Sequence, residues 1–123
     1  MGSSFRELIV WQRAIELCTA VYSLTASFPA EERFGLTSQL RRAVVSVSSN
    51  IAEGYGKGSR GEYIHYLYHA RGSISEVETQ LVIVRLLKLG KAEQLERAEG
   101  LCNETGRLIG ALLKSLKSKS SSP

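Results

Sequence analysis

Between Ala30 and Ser122 the chain contains no proline. Proline breaks a helix by removing a backbone donor and clashing with the turn before it. Its absence lets long helices form wherever the side-chain pattern favours them. Only Pro29 and Pro123 interrupt the 123 residues.

Four segments have helical periodicity. From about residue 10 to 27, Trp11, Ile15, Cys18, Tyr22 and Thr25 recur at four- and three-residue spacing, widened by Ala14 and Val21. That is the period of a helix packing on other helices. Phe28-Pro29 ends it. From 37 to 54, Leu40, Val44, Val47 and Ile51 form the apolar line, and Thr37 is the expected cap. From 60 to 89, Tyr63, Leu67, Ala70, Ile74, Val77, Leu81 and Val84 hold a 4-3 pattern. Ser59 and Glu62 have capping-box spacing at its start, and Gly90 supplies the stop. From 92 to 117, Leu95, Ala98, Cys102, Thr105, Leu108 or Ile109, Leu112 and Leu116 face one way.

Short connections make consecutive helices antiparallel neighbours. The expected fold is therefore all-α, an antiparallel up-down-up-down four-helix bundle over residues 1–117. A disordered tail is expected over 118–123. The last two helices are longer than the second, so their hairpin is expected to project beyond the first pair.

Composition narrows the function. Hydrophobic residues make up 43% and charged residues 23%, an ordinary globular balance. Sixteen Lys and Arg against twelve Glu and no Asp leave a net charge of +4. That excess permits an acidic-polymer partner without demanding one. Cys18 and Cys102 are too few for a disulfide framework. No segment has the roughly 20 apolar residues of a membrane helix. The opening Met1-Gly2-Ser3-Ser4 lacks a secretory signal's apolar core, so a cytoplasmic location is expected.

Catalytic motifs are weak. Gly56-Lys57-Gly58-Ser59-Arg60-Gly61 spells G-x-G-x-x-G, but a helix precedes it where a dinucleotide site needs a strand. A glycine-rich turn, with Lys57 and Arg60 beside a helix start, is the plainer reading. Glu62-Tyr63-Ile64-His65 has the Glu-x-x-His spacing of di-iron bundles. That site needs a second such motif, and His65 and His69 are the only histidines. No catalytic residue, cofactor or metal is assigned, and no enzyme activity is expected.

Two features point outward. Gly106 and Gly110 share a helix face on which small residues allow another helix to approach, with a second subunit the natural candidate. Arg42, Ser46, Asn50 and Glu53 form a polar stripe at spacings of four, four and three. Serine and asparagine are mediocre helix formers, so a hydrogen-bonded seam explains them better than a solvated face. Ser73 and Gln80 are the expected partners across it, within the bundle or between subunits.

The same stretch carries a resemblance. Phe5…Leu8-x-Val10-Trp11-Gln12, Tyr22…Phe28-Pro29 and Phe34-Gly35-Leu36 resemble bacterial four-helix-bundle proteins encoded in intervening sequences of large-subunit ribosomal RNA genes. So do Gln39-Leu40-Arg41-Arg42-Ala43, Ser46…Asn50-Ile51-Ala52-Glu53-Gly54, Ala70-Arg71-Gly72-Ser73 and Glu76-Val77-Glu78-x-Gln80-Leu81. The resemblance spans Phe5 to Leu116. It implies a ring-like homopentamer with no established activity. More distantly, the chain is similar to the accessory protein of diversity-generating retroelements, which implies a reverse transcriptase and structured RNA or DNA as possible partners.

Alternating helix direction gathers Arg6, Lys57, Arg60, Lys114, Lys117 and Lys119 at one end of the bundle. From Arg107 onward there are four basic residues and no acidic one. In a five-fold ring this end repeats as a basic collar that attracts phosphates without reading sequence. Glu7, Glu53 and Glu62 temper it. Terminal lysines also complement the helix dipole without any ligand. The alternative function is a protein-interaction scaffold that does not touch nucleic acid.

Overall fold

The computed structural model describes the backbone of residues 4–120 and the side chains of residues 4–118. A 3-10 turn over Phe5–Glu7 leads into α1 (Ile9–Thr25). A second 3-10 turn, Ala30–Glu32, precedes α2 (Leu36–Gly56); α3 (Arg60–Leu87) and α4 (Ala92–Ser120) follow. The described residues contain no strand. Each helix packs on its two neighbours, while the backbones of the diagonal pairs α1/α3 and α2/α4 stay farther apart across the shared core. This is the expected antiparallel four-helix bundle. No described helix is long and apolar enough to cross a membrane.

The core follows the apolar lines with one rotation. Leu40, Val44, Val47 and Ile51 of α2 are fully buried, as are Leu67, Ala70, Val77 and Val84 of α3. In α1 the buried line runs through Ala14, Leu17, Val21 and Leu24. Trp11 and Cys18 sit half-buried beside it, and Tyr22 is exposed. Tyr22 stays outside because Arg41 stacks over its ring at 4.4 Å and donates to Thr25 Oγ1 at 2.9 Å. On α4, Ile109 and Leu113 carry the buried line, with Leu108 and Leu112 half-buried.

Helix ends differ in detail from the sequence reading. Glu32, not Thr37, caps α2: its Oε1 accepts from the Leu36 amide at 3.2 Å, with Gly35 as the boundary residue. Ser59 caps α3 as expected, accepting from the Glu62 amide. At the other end Lys88 takes the first left-handed position (φ 57°) and Gly90 the second (φ 73°). A Cβ on Gly90 would stand 2.7 Å from Leu24 Cδ1, so only glycine lets this turn lie on the end of α1. Helix α4 continues to Ser120, past the expected end at Lys117, since nothing there breaks a helix. Of the expected tail, residues 121–123 lie outside the described residues.

At the hairpin end α3 runs past the start of α2: Gln39 lies opposite Gln80, α2 begins at Leu36, and α3 continues to Leu87. The excess of α4 over α1 lies at the other end. Arg13 and Glu104 pair at 2.9 Å between α1 and α4. From that pair to Thr25 and back to Ala92 the two helices run equal lengths. Toward the chain termini α1 soon stops at Ile9, while α4 runs on to Ser120. The overhang is thus beside the α2–α3 turn, where Lys114 and Lys117 lie.

Candidate nucleic-acid interface

On that overhang, Lys117 Nζ donates to Tyr68 Oη at 2.6 Å and stands 5.3 Å from the ring centroid. Arg71 Cζ lies 4.8 Å from the same ring. Tyr68 and Arg71 are three residues apart on α3, so one flank of the helix presents both. They face Gly110, Leu113, Lys114, Lys117 and Ser118 of α4 across a groove of about 410 Å³. The Tyr68 hydroxyl is pulled below the usual phenol range by the Lys117 hydrogen bond, with attraction to Lys117 and Arg71 adding. Two cations therefore flank one exposed aromatic ring, and Lys114 lines the same groove. Such a groove can hold phosphate oxygens electrostatically.

The sequence-derived basic set divides. Lys114 and Lys117 share the groove. Lys57 sits apart, 5.7 Å from the Tyr66 ring at the end of α2. Arg6 stays beside Phe5 at 5.6 Å, where its carbonyl accepts from Gln12. Arg60 is exposed at the start of α3. The Lys119 side chain lies outside the described residues. Sequence reasoning missed Arg71, which no charge run marks; its spacing from Tyr68 was the available signal.

The polar stripe also divides. Ser46 Oγ and Ser73 Oγ are 2.9 Å apart across α2 and α3. Asn50 Nδ2 donates to the Ser46 carbonyl at 2.8 Å and to Ser46 Oγ at 3.0 Å. Gln80 is 6% exposed; its amide makes a long bond of 3.4 Å to Gln39, and its own Oε1 has no partner. Arg42 and Glu53 are exposed and do not join the network. The seam lies within one chain, between two of its own helices.

Other candidates resolve simply. The G-x-G-x-x-G string is an interhelix turn with Gly58 at φ 84°. Gly106 uses its missing Cβ inside the chain, where one would lie 3.3 Å from Ile74 Cγ2; Gly110 faces open space. Burial pushes the Cys102 thiol up to about 12, so it stays protonated and a poor nucleophile. No three His, Cys or Glu side chains among the described residues converge as metal ligands.

The sequence profile of the 23S rRNA-intervening sequence protein family matches residues 6–111. The chain belongs to that family. A crystal structure of a protein of unknown function from the S23 ribosomal protein family of Bacteroides thetaiotaomicron is similar at a TM-score of 0.78 and 23% identity. The similarity covers 86% of this chain and 96% of that one, and it supports the bundle fold. No curated protein sequence matches significantly. The 23S rRNA-intervening sequence match includes the whole seam and Arg71 but ends before Lys114 and Lys117. The α4 side of the basic groove is thus largely outside the family's matched span.

Proposed function

We propose that this chain is a non-catalytic helical module that self-associates and binds the phosphate backbone of structured RNA. The observation that carries this reading is that Arg71 and Lys117 flank Tyr68 in a groove that Lys114 also lines, on the α4 overhang. Backbone binding releases counterions, so affinity falls steeply with salt. Replacing Arg71, Lys114 and Lys117 with Gln should weaken binding to structured RNA and flatten its salt dependence by roughly one unit of slope per lost phosphate contact. A triple variant that binds as the parent does overturns the assignment. Self-association is checked by light scattering, where a monomer at micromolar concentration defeats it.

A scaffold reading has its own support. Val82, Ile83, Leu86 and Leu87 on α3 are all exposed, Leu86 by 74%. That reading expects a protein partner that survives nuclease treatment.

A further inference from the structure

We propose that His65 and His69 form a surface site for one divalent transition-metal ion of the imidazole-binding class, with water completing the shell. The two Nε2 atoms are 3.3 Å apart. The rings are 4.6 Å apart between centroids and inclined at 77°. An ion placed at about 2.1 Å from both nitrogens subtends about 104° between them, between the right angle of tetragonal sites and the tetrahedral value. The two atoms already stand at chelating separation.

The helix holds that separation. His65 and His69 lie one turn apart on α3, the spacing by which two histidines on one helix face grip zinc in metalloproteases. Between them Leu67 is fully buried, and Ala70 beside them is too. The backbone carrying both rings is therefore pinned by the core, and little ordering of the chain remains to be done on binding. Both histidines are exposed, so an ion reaches them directly.

The present contact between the rings is the competitor. One Nε2 must carry the proton that the other accepts. Water replaces such an exposed hydrogen bond at little cost. Metal binding needs both Nε2 lone pairs, so the donating ring moves its proton to Nδ1 through solvent, and a neutral ring loses none. Nitrogen donors select Cu²⁺, Ni²⁺ and Zn²⁺ over Mg²⁺ and Ca²⁺. No third protein ligand converges among the described residues. The ion is therefore exchangeable, and its remaining positions stay open. This differs from the Glu-x-x-His di-iron arrangement, whose ligands point into the bundle. It also stands independently of the RNA reading.

The test titrates untagged chain with Cu²⁺, Ni²⁺ and Zn²⁺ by calorimetry. One ion per chain is expected, with Cu²⁺ tightest by the Irving–Williams order. Loss of a supporting hydrogen bond alone costs roughly 10–100-fold in metal affinity, so His65→Gln or His69→Gln should each weaken binding at least about tenfold. Both positions are exposed, so the variants' helical circular dichroism should match the parent's. The ions should raise the parent's melting temperature and leave the variants' unchanged. Absence of binding by all three ions overturns the proposal. So does a stoichiometry of half an ion per chain, or unchanged affinity in either variant.

Discussion

Helix α3 meets α2 across small and polar residues, and meets α4 across an apolar floor rimmed by charges. On the α2 flank the backbones approach closely. Gly54 lies under Tyr66 and Tyr63, and a short serine pair with Asn50 fixes the register by direction as well as fit. On the α4 flank Ile74, Leu81 and Cys102 floor a groove of about 490 Å³, and Arg85 grips Glu99 at its edge. Hydrogen bonds hold one relative position, whereas apolar contact tolerates several. The first flank specifies the fold, and the second leaves room for ligands. Arg71 lines both this groove and the basic one below it, so they run along the same side of the molecule.

The largest effect should come from filling the close approach. A Cβ at position 54 would stand 2.6 Å from the Tyr66 Cβ and 3.3 Å from Tyr63 Cδ1. Neither is the free end of a flexible chain, so α2 and α3 must separate. Overpacking of this kind costs about 1–3 kcal/mol, and Gly54→Ala belongs at the upper end despite alanine's better helix propensity. Urea melts measure it. Parent-like stability would mean that the flank is looser than its geometry indicates.

Next comes the seam itself. Asn50→Ala and Ser73→Ala each remove one of the two side-chain bonds of the half-buried Ser46 Oγ and leave the other, at a cost of roughly 0.5–1.5 kcal/mol. Glu53→Ala, on the same stripe but exposed, should stay within about 0.5 kcal/mol of the parent. Equal losses at all three positions would return Glu53 to the seam.

Sequence legibility follows the same division. The α2 flank was largely readable because periodicity reports burial, and serine and asparagine on a half-buried line need partners. The split between Asn50 and Glu53 was not readable: both fit the helical spacing, and a few tens of degrees of rotation decide which one faces α3. The α1 stripe erred for a related reason. Tyr22 and Cys18 fit the period, but a bundle helix buries a sector, and the position of its centre depends on neighbours that pattern alone does not place. The basic groove was half legible. Lys114 and Lys117 come from a charge run at the terminus, whereas Arg71 is an isolated charge that only the α3–α4 contact recruits.

Alkaline pH probes both flanks through one buried proton each. Burial pushes the Cys102 thiol from 9.0 to about 12, helped by Glu78, and the Tyr63 hydroxyl from 10.0 to about 12, helped by Tyr55. Above about pH 9 the unfolded chain gives up the thiol proton while the folded chain keeps it. Stability is full below that pH and falls as pH rises toward 12, by at most about 1.4 kcal/mol per pH unit for one group. Burial raises the half-buried Cys18 thiol as well, so Cys102→Ala should reduce the loss between pH 9 and 10, adding Cys18→Ala should remove the rest, and the later loss belongs to Tyr63. Urea midpoints at pH 8, 9 and 10 compare the two, and an unchanged profile in the variant would assign the early loss elsewhere.

The smallest effects should separate the glycines of α4. Gly106 is already closed by Ile74 at 3.3 Å, so alanine there gains helix propensity and pays it back in packing, leaving stability close to the parent's. Gly110 meets nothing within 4 Å in its own chain. Alanine at 110 should stabilise the isolated fold by up to about 1 kcal/mol, because it restricts the unfolded backbone without a clash. The same substitution tests self-association. If a second copy lays a helix against that face, the added methyl pushes it away, and light scattering at falling concentration will show earlier dissociation even as the monomer melts higher. If assembly is unaffected while melting rises, Gly110 is an unoccupied position on the edge of the basic groove, and the subunit contact must use another face, with the exposed Val82 and Leu86 on α3 the next to substitute.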